Sequence, residues 1–205
     1  MTFWTEGGGA RDPKRNFRFK VIINGFISAN NNLPENVAGE NSIVWWAKKV
    51  QKPNWTVAES KHVFMGHSFY YPGKLEWQEI SLTLVDPVSP NATAILSHLT
   101  ERSGYKLPQV NEAFETQSKQ KAQSALRDVI IEQIDSNDVM VERWKLHHPF
   151  LKKVSFSDLD YENDELTTVD VTLRYDWAEW ETEANDGINK PFFAKSGPAV
   201  PPGSN

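Results

Sequence analysis

With 205 residues, 39% of them hydrophobic, the chain is long enough to bury a sizeable core, as one large domain or two small ones. Its 27 acidic and 22 basic residues give a net charge of -5, which disfavours a protein that grips phosphate backbones through counterion release. The absence of cysteine excludes disulfides, thiolate metal sites and cysteine nucleophiles.

The aromatic content, with 8 Trp, 11 Phe and 5 Tyr, concentrates apolar mass in large rings that suit strands and interfaces, and favours a single β-rich domain. No stretch of about 18 apolar residues occurs and the amino terminus lacks the apolar centre of a signal peptide, so a soluble protein made in the cytoplasm, without stable membrane association, is expected.

Residues 1–14 read as a flexible leader, with Gly7-Gly8-Gly9 followed by a turn at Asp12-Pro13. The folded domain is expected over residues 15–181. Phe17, Phe19, Val21 and Ile23 alternate with Arg18 and Lys20, a strand with a basic edge that Asn24-Gly25 breaks. Residues 30–41 are rich in Asn, with Pro34 and Gly39, and predict an exposed loop. Residues 43–50 resume as a strand with Trp45 and Trp46 on opposite faces. Residues 57–71 carry Val63, Phe64, Met65, Phe69, Tyr70 and Tyr71 around Gly66, with Pro72-Gly73 as a following turn; they predict a long hairpin with more apolar surface than a solvated loop needs. Residues 76–85 place Ile80, Leu82 and Leu84 on one strand face and Glu79, Ser81 and Thr83 on the other.

One helix is expected, at about residues 90–103, with Ser89 as cap, Pro90 at the first helical position, Ile95, Leu96 and Leu99 as the buried stripe and Gly104 as terminator. Residues 105–123 read as polar loop, with at most a helical turn in the second half. Residues 126–134 and 139–146 form a hairpin about Asp135 to Asp138. A further run from 154 leads through an acidic turn into a strand over 168–177, in which Val169, Val171, Leu173, Tyr175 and Trp177 share a dry face and Thr168, Asp170, Thr172, Arg174 and Asp176 a wet one. Such a strand fits an amphipathic sheet or barrel wall. Residues 182–205 are a Pro/Gly-rich extension.

Signals for chemistry are few. Asp158, Asp160, Glu162, Asp164 and Glu165 are spaced like calcium ligands, but Asn163 stands where the loop needs glycine and Val169 where it needs a bidentate glutamate, so a solvated turn is the reading. His147 and His148 would point to opposite faces of a strand and lack a third ligand. No nucleophile elbow, zinc helix or phosphate-cradling glycine loop is present, and no enzyme activity, metal or cofactor is expected. Arg11, Lys14, Arg15, Arg18 and Lys20 interleave with Phe17 and Phe19, a composition found in nucleic-acid readers, but on an acidic chain they are expected to pair with acidic residues of a neighbouring subunit.

Several of these segments fall in a recognisable order. Asp12-Pro-Lys-Arg-Asn-Phe-Arg-Phe19 opens the first strand; residues 62–79 run Val-Phe-Met-Gly into Pro-Gly-Lys and Trp77; residues 125–133 follow, and Leu173-Arg-Tyr-Asp-Trp177 closes the stretch from Trp144 to Trp180. In this order, over most of residues 11–181, the chain resembles the tail tube proteins of contractile-tailed bacteriophages, the myovirus family related to Hcp-like injection tubes. The resemblance implies a β-barrel or sandwich with one flanking helix, and a sheet continued between the subunits of a hexameric ring. Rings would stack into a hollow virion tube, assembled in the host cytoplasm, through which double-stranded DNA passes during ejection. It implies partners in the tail sheath, the baseplate tube initiator and the tail terminator, and no catalytic residue. The loop at 30–41 and the extension beyond Trp180 depart from the compact members of that family.

On this reading Val63, Phe64, Met65, Phe69, Tyr70, Tyr71, Arg15 and Arg18 are expected at contacts between subunits or rings. Glu79, Ser81, Thr83, Asp170, Thr172 and Asp176 are expected to line the lumen with an acidic, hydroxyl-rich surface that repels phosphate, Arg174 being neutralised by Asp170 or Asp176. A baseplate tube initiator of the same fold, a monomeric β-barrel binder with Trp45, Trp46, Trp55 and Trp77 in its pocket, and a hydrolase using Asp158 or Glu162 are the competing readings.

Overall fold

Alternating apolar residues dominate the middle and the end of the chain, and in the computed structural model they become two four-stranded antiparallel sheets around one core. The structure describes residues 14–23, 47–88, 91–106, 116–162 and 164–182. The leader up to residue 13, the turn at Asn24-Gly25, the 30–41 loop, Trp45, Trp46, Ser89, Pro90 and the extension from residue 183 lie outside them.

The first sheet has the order β1 (Phe19–Ile23), β6 (Val129–Ile134), β7 (Met140–His147), β10 (Trp177–Thr182). The second has the order β2 (Ala47–Val50), β5 (Ile80–Val85), β9 (Thr168–Arg174), β8 (Phe150–Phe156). β3 (Trp55–Phe64) and β4 (His67–Trp77) pair only with each other as a long hairpin. The period-2 pattern sets the register of the second sheet: Ile80, Leu82 and Leu84 stand opposite Leu173, Val171 and Val169, and all six are buried. Val21, Ile131, Leu146 and Ala178 from the first sheet complete the same core with Leu96 and Leu99. Each such Val, Leu or Ile side chain contributes on the order of 1.5–3 kcal/mol by leaving water, an upper bound because the unfolded chain already hides some of that area.

The strand expected over 168–177 is two strands in two sheets. β9 ends at Arg174, Tyr175 turns into the core, the Asp176 N–H donates to the His147 carbonyl at 3.1 Å, and β10 starts at Trp177 in the first sheet. Its partner breaks at the same level. β7 ends at His147, His148 adopts φ 53°, and Pro149, which has no N–H to give a ladder, precedes β8. The two segments thus form one bent ribbon, with His147 opposite Trp177 on one side of the bend and Phe150 opposite Arg174 on the other. Trp177 accordingly leaves the dry face and is 37% exposed, and Asp176 leaves the wet one.

Among the described residues two helices are present where one was expected. α1 (Ala92–Arg102) is capped by Asn91, whose side chain accepts from the Ala94 N–H at 2.9 Å, while the Asp86 carboxylate accepts from the Ala92 N–H and the Thr93 hydroxyl. These acceptors start the helix two residues later than the Ser-Pro pair suggests. Gly104, at φ 108°, ends it as expected. α2 (Lys119–Leu126), capped by Ser118, occupies a stretch read as loop; it is polar and buries only Ala125 and Leu126, so it carries almost no periodic signal. Pro72-Gly73 is not a turn but a shift of register inside β4, between the pairs Val57–Leu75 and Glu59–Pro72. A Cβ on Gly73 would stand 3.0 Å from the Ala58 carbonyl oxygen. The reversal itself is at Met65-Gly66, with φ 48° and 77°.

Candidate assembly surfaces

Every residue of β3, and every residue of β4 except its last, is exposed. Cross-strand partners share a face, so Phe64, Phe69 and Tyr71 lie on one side of the hairpin with His62 and His67, and Val63 and Tyr70 lie on the other with Lys61, whose ammonium stands 5.9 Å over the Tyr70 ring. The structure therefore brings the six apolar contact candidates together on one projecting element and distributes them over both of its faces. At the root, Trp77 is buried, meets Trp55 edge-on at 5.3 Å and packs on Tyr175 at 6.0 Å. The Gln78 N–H closes the root on the Asn54 carbonyl at 2.9 Å. Burial pushes the Tyr175 hydroxyl up to about 12. Trp55 and Trp77, proposed by the pocket reading as cavity lining, are thus the hinge of the hairpin.

The basic corner is largely satisfied within the chain. Lys14 reaches Glu142 at 2.5 Å and Lys20 reaches Asp138 at 2.6 Å, which corrects the expectation that these cations wait for a neighbour. Arg18 lies 5.4 Å from the ring of the exposed Phe17, and Arg15 is exposed beside it; Arg11 falls outside the described residues. Glu142 also accepts from Lys52 at 2.9 Å and from the Trp144 indole at 2.6 Å. Burial raises its pKa, but hydrogen bonds from Lys14, Lys52 and Trp144 together outweigh this and hold it at about 2. No sequence motif marks this node, since Lys14 is 128 residues away from Glu142.

Four of the six lumen candidates share the solvent face of the second sheet: Ser81 opposes Thr172, and Thr83 opposes Asp170 and donates to it at 2.6 Å. Glu79 precedes β5 and pairs with Lys152. Asp176 is in the bend, bonded to Lys119 at 2.6 Å and His148 at 2.9 Å; burial raises its pKa, but these two partners outweigh burial and leave it lowered. Arg174 turns to Glu76 at 3.4 Å rather than to Asp170 or Asp176.

Nor is this face acidic. Its two outer strands carry matching Ala47-Lys-Lys-Val50 and Leu151-Lys-Lys-Val154 segments, each with a bulge that sets two lysines against one partner residue, Thr83 or Thr172. Lysines and bulges on outer strands are devices that blunt a sheet edge. β10, by contrast, keeps an unbroken six-residue register with β7.

The acidic segment after β8 is a turn in which Asp160 accepts from the Glu162 N–H at 3.0 Å, and among the described residues no three His, Asp or Glu side chains converge as a metal site. His147 stacks on Trp177 at 5.0 Å and His148 meets the same ring edge-on at 4.9 Å.

No family model matches the sequence, and no curated protein matches it. Solved structures do. A chain of the sixfold-symmetrised baseplate of the anti-feeding prophage aligns over 84% of this chain and 97% of its own, with 15% identity and a TM-score of 0.55. A chain from the tube-terminating cap of the same prophage aligns over 89% and 99%, with 16% identity and a TM-score of 0.54. A chain from the sheath/tube terminator of the extracellular contractile injection system PVC aligns over 85% and 100%, with 12% identity and a TM-score of 0.55. The chain shares its fold with these components of contractile injection systems. At this level of identity it is the fold that is shared, and the tube-type relatives cover nearly their whole length with it. Those chains belong to baseplate, cap and terminator assemblies.

Proposed function

We propose that the protein is a structural subunit of a contractile tail, in which six copies form a ring and rings stack into the inner tube through which phage DNA passes into the host. The observation that carries this reading is the hairpin: a two-stranded ribbon with large apolar side chains exposed on both faces is marginal in water by itself and is stabilised by a covering partner. Sixfold symmetry is supported by the similar chain in the sixfold-symmetrised baseplate, and sheath and terminator partners by the similar chain in the sheath/tube terminator. The mixed-charge sheet face carrying Ser81, Thr83, Asp170 and Thr172 is assigned to the lumen; hydroxyls and balanced charge let a polyanion slide without being held, and at 0.15 M salt its field reaches only about 8 Å. A second reading, a baseplate tube initiator, is favoured by the baseplate relative alone.

Negative-stain microscopy of the concentrated protein tests this. Long hollow rods are expected of a tube subunit and isolated rings of an initiator, whereas a monomer at every concentration overturns both. Failure to shift double-stranded DNA at 0.15 M salt is expected of a conduit; tight binding overturns passage.

A further inference from the structure

Among the described residues Glu142 is the one charged side chain that is buried, at 6% exposure, and Gln133, its partner in the β6–β7 register, is buried beside it. A buried carboxylate is costly unless its oxygens are taken, and here both are. One accepts from Lys14, the other from Lys52 and the Trp144 indole. Gln133 extends the node: its side-chain oxygen accepts from Lys52 at 2.8 Å and its amide donates to the Arg15 carbonyl at 3.1 Å.

The two lysines come from segments with little apolar cover. Residues 14–17 are exposed, and in the 51–54 link between β2 and β3 only Pro53 is buried. The first segment enters β1 through the Arg18 N–H, which donates to the Arg15 carbonyl at 3.4 Å. The second is the base of the hairpin: the Gln51 N–H donates to the Ser81 carbonyl and the Asn54 carbonyl accepts from the Gln78 N–H, both at 2.9 Å. Where burial does not fix a segment its polar anchor must, and two half-exposed lysines gathered on one carboxylate repel each other once its charge is gone.

We infer that Glu142 is a single clasp for two straps: its charge holds both the chain entering β1 and the base of the hairpin, and removing that charge frees residues 14–18 and 51–54 together while both sheets stay closed. The clasp is made of contacts within one chain and is independent of the tube reading. Hydrogen exchange of the full chain, with every variant compared in the same assembly state at pH 7, tests it. Glu142→Gln is expected to speed exchange at Arg18, Gln51 and Gln78 about tenfold, the scale of one charge-assisted hydrogen bond. Leu96→Ala, a change in the core, lowers the stability of the whole subunit and is expected to leave those three rates as they are, because local opening does not draw on the core. Lys14→Met is expected to speed Arg18 alone and Lys52→Met only Gln51 and Gln78, and neither adds to the effect of Glu142→Gln. If Leu96→Ala speeds the three amides as Glu142→Gln does, they open only by global unfolding and the inference is overturned; it is overturned equally if Glu142→Gln moves one segment and not the other. Should Glu142→Gln fail to fold, the lysine variants decide, and either one leaving its own segment at the parental rate overturns the shared clasp.

Discussion

Trp77 and Tyr175 pack ring against ring at 6.0 Å, joining the root of the hairpin to the residue at which the ribbon bends from one sheet to the other. The direction in which the hairpin leaves the body is therefore fixed by the same buried residue that turns the chain. Trp77→Ala is expected to cost about 3–5 kcal/mol in urea unfolding, the range for removing a buried aromatic ring. Trp77→Phe is expected to cost less and to keep the far-ultraviolet dichroism. A cost below about 1 kcal/mol for Trp77→Ala would mean that the indole's contacts with Trp55 and Tyr175 do not anchor the root.

Glu142 gives the fold a defined acid limit. Its carboxyl titrates at about 2 in the folded chain against 4.5 for the ordinary group, so its stabilisation is complete above pH 4.5 and is lost as pH falls toward 2. Allowing for solvent around the half-exposed Lys14 and Lys52, the loss amounts to about 2 kcal/mol. Glu142→Gln is expected to lower stability at pH 7 and to flatten the dependence between pH 4.5 and 2.5. A variant as steep as the parent over that interval would remove Glu142 from the account.

What the sequence made legible follows the reach of each signal. The dry faces of β5 and β9 were readable because burial on one side of a sheet imposes strict period 2, and the apolar excess of the hairpin was readable because no core pattern absorbs it. The bend was not. Alternation runs on through Tyr175 and Trp177, so nothing in the strand itself marks the change of sheet; only Pro149, on the partner strand, punctuates it. α2 leaves little periodic trace in the sequence, enough for a helical turn and no more, because only Ala125 and Leu126 of its eight residues are buried. The Lys-Lys pairs at 48–49 and 152–153 are visible as letters, but that they sit on bulged outer strands depends on pairing with β5 and β9, and this turned an expected acidic face into a mixed one.

Gly104 terminates α1 at φ 108°, and a Cβ there would lie 2.9 Å from the Thr116 carbonyl oxygen. Both the backbone conformation and the space therefore exclude a side chain. Gly104→Ala is expected to destabilise the subunit by about 1–3 kcal/mol, read as a lowered urea midpoint with unchanged slope. A neutral substitution would show that the segment from 116 relaxes freely away from the helix end.

The sharpest separation between folding and assembly lies in the hairpin. Phe64 and Tyr70 stand on opposite faces of a ribbon that contributes nothing to the core before Trp77, so a charge placed at either disturbs no buried side chain of the subunit, and at Tyr70 removes only the exposed contact with Lys61. If both faces are covered in the tube, each ring contributes on the order of 1.5–3 kcal/mol to a contact made once per copy, and a carboxylate there must be desolvated without a partner. Phe64→Asp and Tyr70→Asp are each expected to leave circular dichroism and melting temperature close to the parent while abolishing sedimentable rods. Should Tyr70→Asp assemble normally while Phe64→Asp does not, one face of the hairpin is free in the tube, and the interface is confined to the side carrying Phe64, Phe69 and Tyr71.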